Sequence, residues 1–179
     1  MQVPVDVGMA PTEYVRRFGE VEWPVFDVCP ICGAHARLQG HGSYSRNSLP
    51  DRETELVTPI HRLRCPVCHR TVSLLPSFLL PFFQHTAQFL VKSLLGKVKS
   101  YRELLRFHWR RFLANANRVL AFLRDLDMRE RLPEDGKERA MKLLRSIEAS
   151  GLEMFSMLFQ KHYHRGFMAD SSYLPQKPK

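Results

Sequence analysis

The strongest constraint on this chain is where its cysteines fall. All four lie in two C-P-x-C pairs, Cys29-Pro30-Ile31-Cys32 and Cys65-Pro66-Val67-Cys68. Each pair is a tight turn that can turn two sulfurs toward one ion, and two such turns make a four-thiolate tetrahedral site of the kind zinc closes. Gly33 follows the first pair, where the turn needs positive φ, and His69 holds the corresponding place after the second. Disulfides or a redox dithiol are the other readings of such pairs. Two matched pairs, no leftover cysteine and no secretory leader in Met1 to Gly8 favour a reducing compartment and a metal. With all four positions filled by protein, one zinc would be structural, not catalytic.

The charge pattern bears on partners. The 179 residues carry a net +9, enough chain for one modest domain or two small ones. Residues 1–28 sum to −3, 29–82 to +3, 83–131 to +7 and 132–179 to +2. A basic block in the middle of the chain suggests a polyanion, nucleic acid before membrane. The most apolar run, Leu74 to Phe83, is interrupted by Pro76, Ser77 and Pro81 and is too short for a membrane span of roughly 20 residues. The expectation is a soluble, bacterial cytoplasmic protein associated with the nucleoid, with no membrane partner.

Five segments follow. In residues 1–28, Thr12 to Phe18 reads as a short helix capped by Thr12, and Trp23, Val25 and Phe26 as an edge strand. Residues 29–75 read as a zinc ribbon of three short strands, too small to hold a core without metal. Its strands are Arg37 to Tyr44, with Gly40 and Gly42 as bulge points; Glu55 to Arg64, limited to an edge by Pro59; and Thr71 to Leu75. Residues 76–83 read as a rigid Pro/Phe-rich hinge. Residues 84–131 are helical by period: Ala87, Leu90, Val91, Leu94 and Leu95 end at Gly96, and Ser100-Tyr101-Arg102-Glu103 reads as a capping box. The second helix's apolar face is Tyr101, Leu104, Leu105, Trp109 and Phe112, continued by Val119, Leu120, Leu123 and Leu126; Asn115 and Asn117 leave one helix or two open. Residues 132–179 hold a turn at Pro133 to Gly136, helices on either side of Gly151, and a tail, Pro175 to Lys179, expected to be disordered. The fold class is thus α+β: a four-cysteine ribbon followed by a mainly helical region, with a helix-turn-helix as one form it could take.

Among the histidines, His35 or His69 would ligate metal only by displacing a cysteine, and His162 and His164, spaced i, i+2, face different sides of a helix. The candidate metal ligands are therefore Cys29, Cys32, Cys65 and Cys68. Arg102, Arg106 and Arg110 fall at successive i, i+4 steps away from the apolar face and, joined by Lys99, read as a solvated basic face or as a phosphate-tracking ridge. Lys97, Arg118, Arg46 and Arg70 complete the candidate nucleic-acid contacts.

With these elements in place, the chain resembles the N-terminal part of bacterial insertion-sequence transposases and short transposase-like zinc-ribbon proteins. The residues that carry the resemblance are Cys29-Pro30-x-Cys32-Gly33, His41-Gly42-x-Tyr44-x-Arg46, Arg62-Leu63-Arg64-Cys65-Pro66-x-Cys68-His69-Arg70-Thr71-Val72-Ser73, Leu75-Pro76-x-Phe78-Leu79 and Trp109-Arg110-Arg111-Phe112-Leu113. The resemblance implies that ribbon and helices hold DNA, in transposases beside a separate RNase H-like cutting domain. No acidic triad on strands is evident here, so the expected role is non-catalytic duplex-DNA binding, with a transposase or another protein as a second partner. A module docking on a polymerase or recombinase is the alternative, as is RNA binding, for which Tyr44, Tyr101 and Trp109 would stack bases.

Overall fold

A computed structural model describes residues 1–168. The expected tail lies outside the described residues. Strands β1 (Gln2–Val5), β2 (Gln39–Ser48), β3 (Leu56–Arg64) and β4 (Thr71–Pro76) form one sheet in the order β1-β4-β3-β2. Helix α1 (Pro11–Arg16) lies between β1 and β2, and α2 (Ala87–Leu94), α3 (Arg102–Asp125), α4 (Gly136–Ala149) and α5 (Leu152–Tyr163) follow the sheet. The class is α+β as expected, but the strand added to the three of the ribbon is not the one expected at Trp23 to Phe26.

That extra strand is β1, which runs parallel to β4 with Gln2 opposite Ser73. The segment Trp23 to Phe26 makes no strand. The Trp23 ring instead stacks on His61, with centroids 4.9 Å apart, and meets Tyr14 edge-on. The β2–β3 hairpin is antiparallel, and its register slips between Gly40 and Ser43, the bulge its glycines foretell; Gly42 has φ +71°.

Pro59 does not confine β3 to an edge; β3 is interior. Only His61 to Arg64 pair with β4, so Pro59 lies beyond that ladder. Its carbonyl accepts the Tyr14 hydroxyl at 2.8 Å, and the N and C=O of a strand residue share a side, so the missing donor faces away from β2. Thr12 does not cap α1; Ala10 does, with Pro11 at the first helical position.

Alternation divides the sheet residues between two small cores. Val72, Leu74 and Leu63 point to the cysteine side with Val5, Leu38, Cys29 and Cys65. Ile60 and Leu75 point to the other, with Tyr14, Phe78 and Leu79. Most of the hinge is buried, as its apolar bulk predicts: Ser77 to Leu80 and Phe83 are nearly inaccessible, while Phe82 is 70% exposed. It leads into the largest core, where Leu80, Phe83, Leu90 and Val91 meet Phe112, Val119, Phe122, Leu143, Leu144, Ile147, Phe155 and Phe159.

Helix α2 ends as the sequence predicts. Gly96 has φ +72°, and the Lys97 amide reaches back to the Lys92 carbonyl at 2.8 Å. Helix α3 is a single 24-residue helix. Its interior tolerates Asn115 because that side chain is buried and donates to the Arg111 carbonyl at 3.1 Å, while Asn117 faces solvent. The capping box does not form: Tyr101 is the cap residue, and the Ser100 hydroxyl is buried without a hydrogen bond. The apolar face is also rotated from expectation. Tyr101 and Leu126 are exposed, whereas His108 and Phe122 are buried.

Candidate metal centre and basic helix

The two knuckles are built alike. In the first, the Cys29 amide donates to the Ala34 carbonyl at 2.9 Å and the Gly33 amide to the Cys29 carbonyl at 2.8 Å. In the second, the Cys65 amide donates to Arg70 and the His69 amide to Cys65, both at 3.0 Å. The pivot residue of each turn is left-handed: Gly33 at φ +72° and His69 at φ +57°. Amides of the turns also point at sulfur, Ile31 to Cys29 and Val67 to Cys65, each at 3.4 Å.

The sheet brings the knuckles together. β3 delivers the chain to Cys65, Cys65 and Cys29 share the small core under the sheet, and Val28 pairs with His35 across the first turn. All four Sγ atoms lie within 4.8 Å of one another. Cys29 and Cys68 are 3.9 Å apart, as are Cys32 and Cys65. Ligands at about 2.3 Å around a tetrahedral ion sit about 3.8 Å apart, so this spacing suits a single ion. Amides of Cys68 and Val67 lower the Cys65 thiol to about 7. At Cys32 the Ala34 amide pulls downward, but desolvation and three neighbouring sulfurs outweigh it and push the thiol up to about 11. A bound cation would draw off these protons, since thiolate is the ligand form. The four sulfurs thus make a candidate four-cysteine metal site.

The candidate basic residues are distributed unevenly. Arg102, Arg106 and Arg110 are exposed on α3, with Lys99 exposed just before it. Arg118 and Arg124 are exposed further along the same helix, against only Glu103 and Asp125 among its exposed acids. Glu103 reaches Arg106 at 3.5 Å across open solvent, a weak pairing. Arg118 contacts the Asn115 amide oxygen at 3.5 Å. Lys97 is tied to Glu148 at 2.5 Å, and Arg70 is exposed beside the second knuckle. Arg46 is placed differently. Its guanidinium turns inward and donates to the carbonyls of Leu80, at 3.1 Å, and Phe83, fastening β2 to the hinge. The connection from α2 to α3 spans residues 95–101, longer than the turn of about 3–4 residues in a helix-turn-helix, and Trp109-Arg110-Arg111 lies inside α3.

Sequence reasoning missed His108 and Arg52. His108 is 4% exposed, neither ring nitrogen has a hydrogen bond, and it is ringed by Phe83, Phe107 and His85. Helical period could have placed it near Leu104, Leu105 and Phe112. Arg52, in the β2–β3 turn, sits over the Tyr101 ring at 4.6 Å, a contact no local pattern signals.

Residues 29–104 match a family described as a domain of unknown function (DUF6431). The matched span takes in both knuckles, β2 to β4, α2 and the first turn of α3. That description names no activity and no transposase. No curated protein and no solved structure matches the chain. Among the described residues, no helix is long and apolar enough to cross a membrane.

Proposed function

We propose that this is a zinc-dependent, non-catalytic DNA-binding protein of transposase-like type, acting at the bacterial nucleoid. One structural zinc on Cys29, Cys32, Cys65 and Cys68 fixes the sheet, and duplex DNA lies along α3. The observation that carries the DNA reading is the exposed face of α3, where five arginines stand against two acids. Arg102, Arg106 and Arg110 rise about 6 Å per step along the helix axis. Like charges so spaced repel by roughly 0.2–0.5 kcal/mol per pair in a free helix, a repulsion that a phosphate backbone turns into attraction. The zinc reading rests on the donor set and its spacing: four sulfurs around one point suit zinc, whereas magnesium and calcium take oxygen.

Salt-titrated fluorescence anisotropy on duplex DNA tests the reading. Affinity should fall steeply with salt, and changing Arg102, Arg106 and Arg110 together to Gln should weaken binding to every sequence. If all three meet phosphates, the triple change should flatten the salt slope by about 2.7 log units per log unit of salt. A folded, metal-loaded triple variant that binds like the parent removes α3 from the interface. Tight binding indifferent to salt points to a docking module for another protein.

A further inference from the structure

The start of α3 is not a bare basic ridge. The turn Pro50 to Thr54 leans over α2 and the segment before α3, enclosing a cleft of about 510 Å³ with Gln88, Phe89, Lys92, Val98 and Lys99. Its volume lies in the range of small-ligand sites, roughly 300–1,000 Å³. Beside it stands Tyr101, the residue that opens α3, 62% exposed. The Arg52 guanidinium, which also lines the cleft, sits 4.6 Å from the ring centroid. Phe89 is buried at the cleft's inner wall.

The charges around it are mostly positive. Arg52, Lys92 and Lys99 line it against Asp51 and Glu53, and the exposed Arg102 and Glu103 follow Tyr101 in the chain. Asp51 is committed to its own turn, accepting the amides of Glu53 at 2.8 Å and Thr54 at 2.6 Å. An exposed aromatic ring steadied by a guanidinium and flanked by cations suits a nucleobase stacked on the ring with its phosphates on the lysines. A base inside a duplex is already stacked on both sides and cannot offer its face. The geometry points to this cleft as the binding site for an unpaired nucleotide of a DNA strand, next to the duplex held by α3. This inference rests on the DNA reading above.

The test uses the full, zinc-loaded chain. Anisotropy compares a blunt duplex with the same duplex carrying a single-stranded extension, and a fluorescent adenine analogue in the extension reports stacking. The parent should prefer the extended duplex and quench the analogue. Tyr101→Ala should lose about tenfold in affinity for the extended duplex, the scale of one stacked base, and leave blunt-duplex binding unchanged. Tyr101→Phe should keep the preference. The cleft assignment is overturned if the parent binds both duplexes equally without quenching, or if folded Tyr101→Ala matches it on the extended duplex. It is also overturned if an RNA extension is clearly preferred. Should Tyr101→Ala lose its fold, Arg52→Gln and the quenching by the parent decide the matter. A parent that binds neither duplex refutes the DNA reading itself.

Discussion

The sheet half and the helical half of this molecule are stabilised in different ways. Among the described residues, the helical half buries one continuous cluster of seventeen apolar residues drawn from the hinge, α2 to α5 and the segment after α5. The sheet half divides its apolar residues between two faces, seven buried on one side and five on the other, and two of the seven are the cysteines Cys29 and Cys65. A two-faced sheet this small gains little from either core, so a metal held by the proposed four-cysteine site would supply what the packing lacks. The helices need no such clamp. Two regions of one short chain can thus rest on different physics, joined where the hinge passes from one core to the other.

The comparison predicts first that metal removal acts on one half. Cys32→Ser, Cys65→Ser or chelation forfeits metal binding of roughly 10–16 kcal/mol, which should dissolve the sheet while most helical circular dichroism survives. Metal analysis should find about one zinc per parent chain. A single transition in which sheet and helices unfold together on chelation would break the distinction.

Acid should act on the other half. Burial, with smaller contributions from His85 and Arg111, pulls His108 down to about 4 from an ordinary 6.5. The unfolded chain therefore takes up the proton more readily, so this contribution is complete above pH 6.5 and is lost as pH falls toward 4. About 3 kcal/mol is at stake. The helical transition should weaken across that window, and His108→Phe should remove that part of the pH dependence. An unchanged pH profile in the variant would mean that another group governs it.

The seam is the third place to press. Arg46→Ala would take the guanidinium from the Phe83 carbonyl and leave the Leu80 carbonyl with the Phe83 amide alone, at about 2 kcal/mol. It should pull the two thermal transitions apart, and a scan showing no change would mean that the hinge holds without it. The smallest effect lies within the sheet. His69 adopts φ +57°, so His69→Gly should relieve about 1 kcal/mol and raise the sheet's melting point slightly; Gly33→Ala should lower it by a similar amount. Equal melting points for parent and both variants would show that the turns carry no such strain.

How much of this was legible depended on range. The knuckles, the glycine bulge, the Gly96 helix end and the run of arginines on α3 were readable because each is set within a few residues by turn geometry or helical period. The pairing of β1 with β4 was not, because it joins residues about seventy positions apart and nothing in Gln2 to Val5 marks its partner. Pro59 misled because a missing donor matters only on the side where a neighbour needs it. His108 went unread because the expected apolar face was drawn from apolar residues alone, whereas its position on α3 turns it inward.

By itself the sequence determined that four sulfurs would converge and that a basic amphipathic helix would follow, since turn chemistry and periodicity are local and survive any context. Only the tertiary structure decided which arginines remain free to meet a partner. Arg46 and Arg102 are alike in sequence, yet one is bound to hinge carbonyls and the other faces water. The same holds for Tyr101, which helical period assigned to the core and which the packed α3 leaves exposed under Arg52. A side chain's environment is made by residues distant in the chain: the hinge carbonyls hold Arg46 on β2, and Arg52 from the β2–β3 turn covers Tyr101.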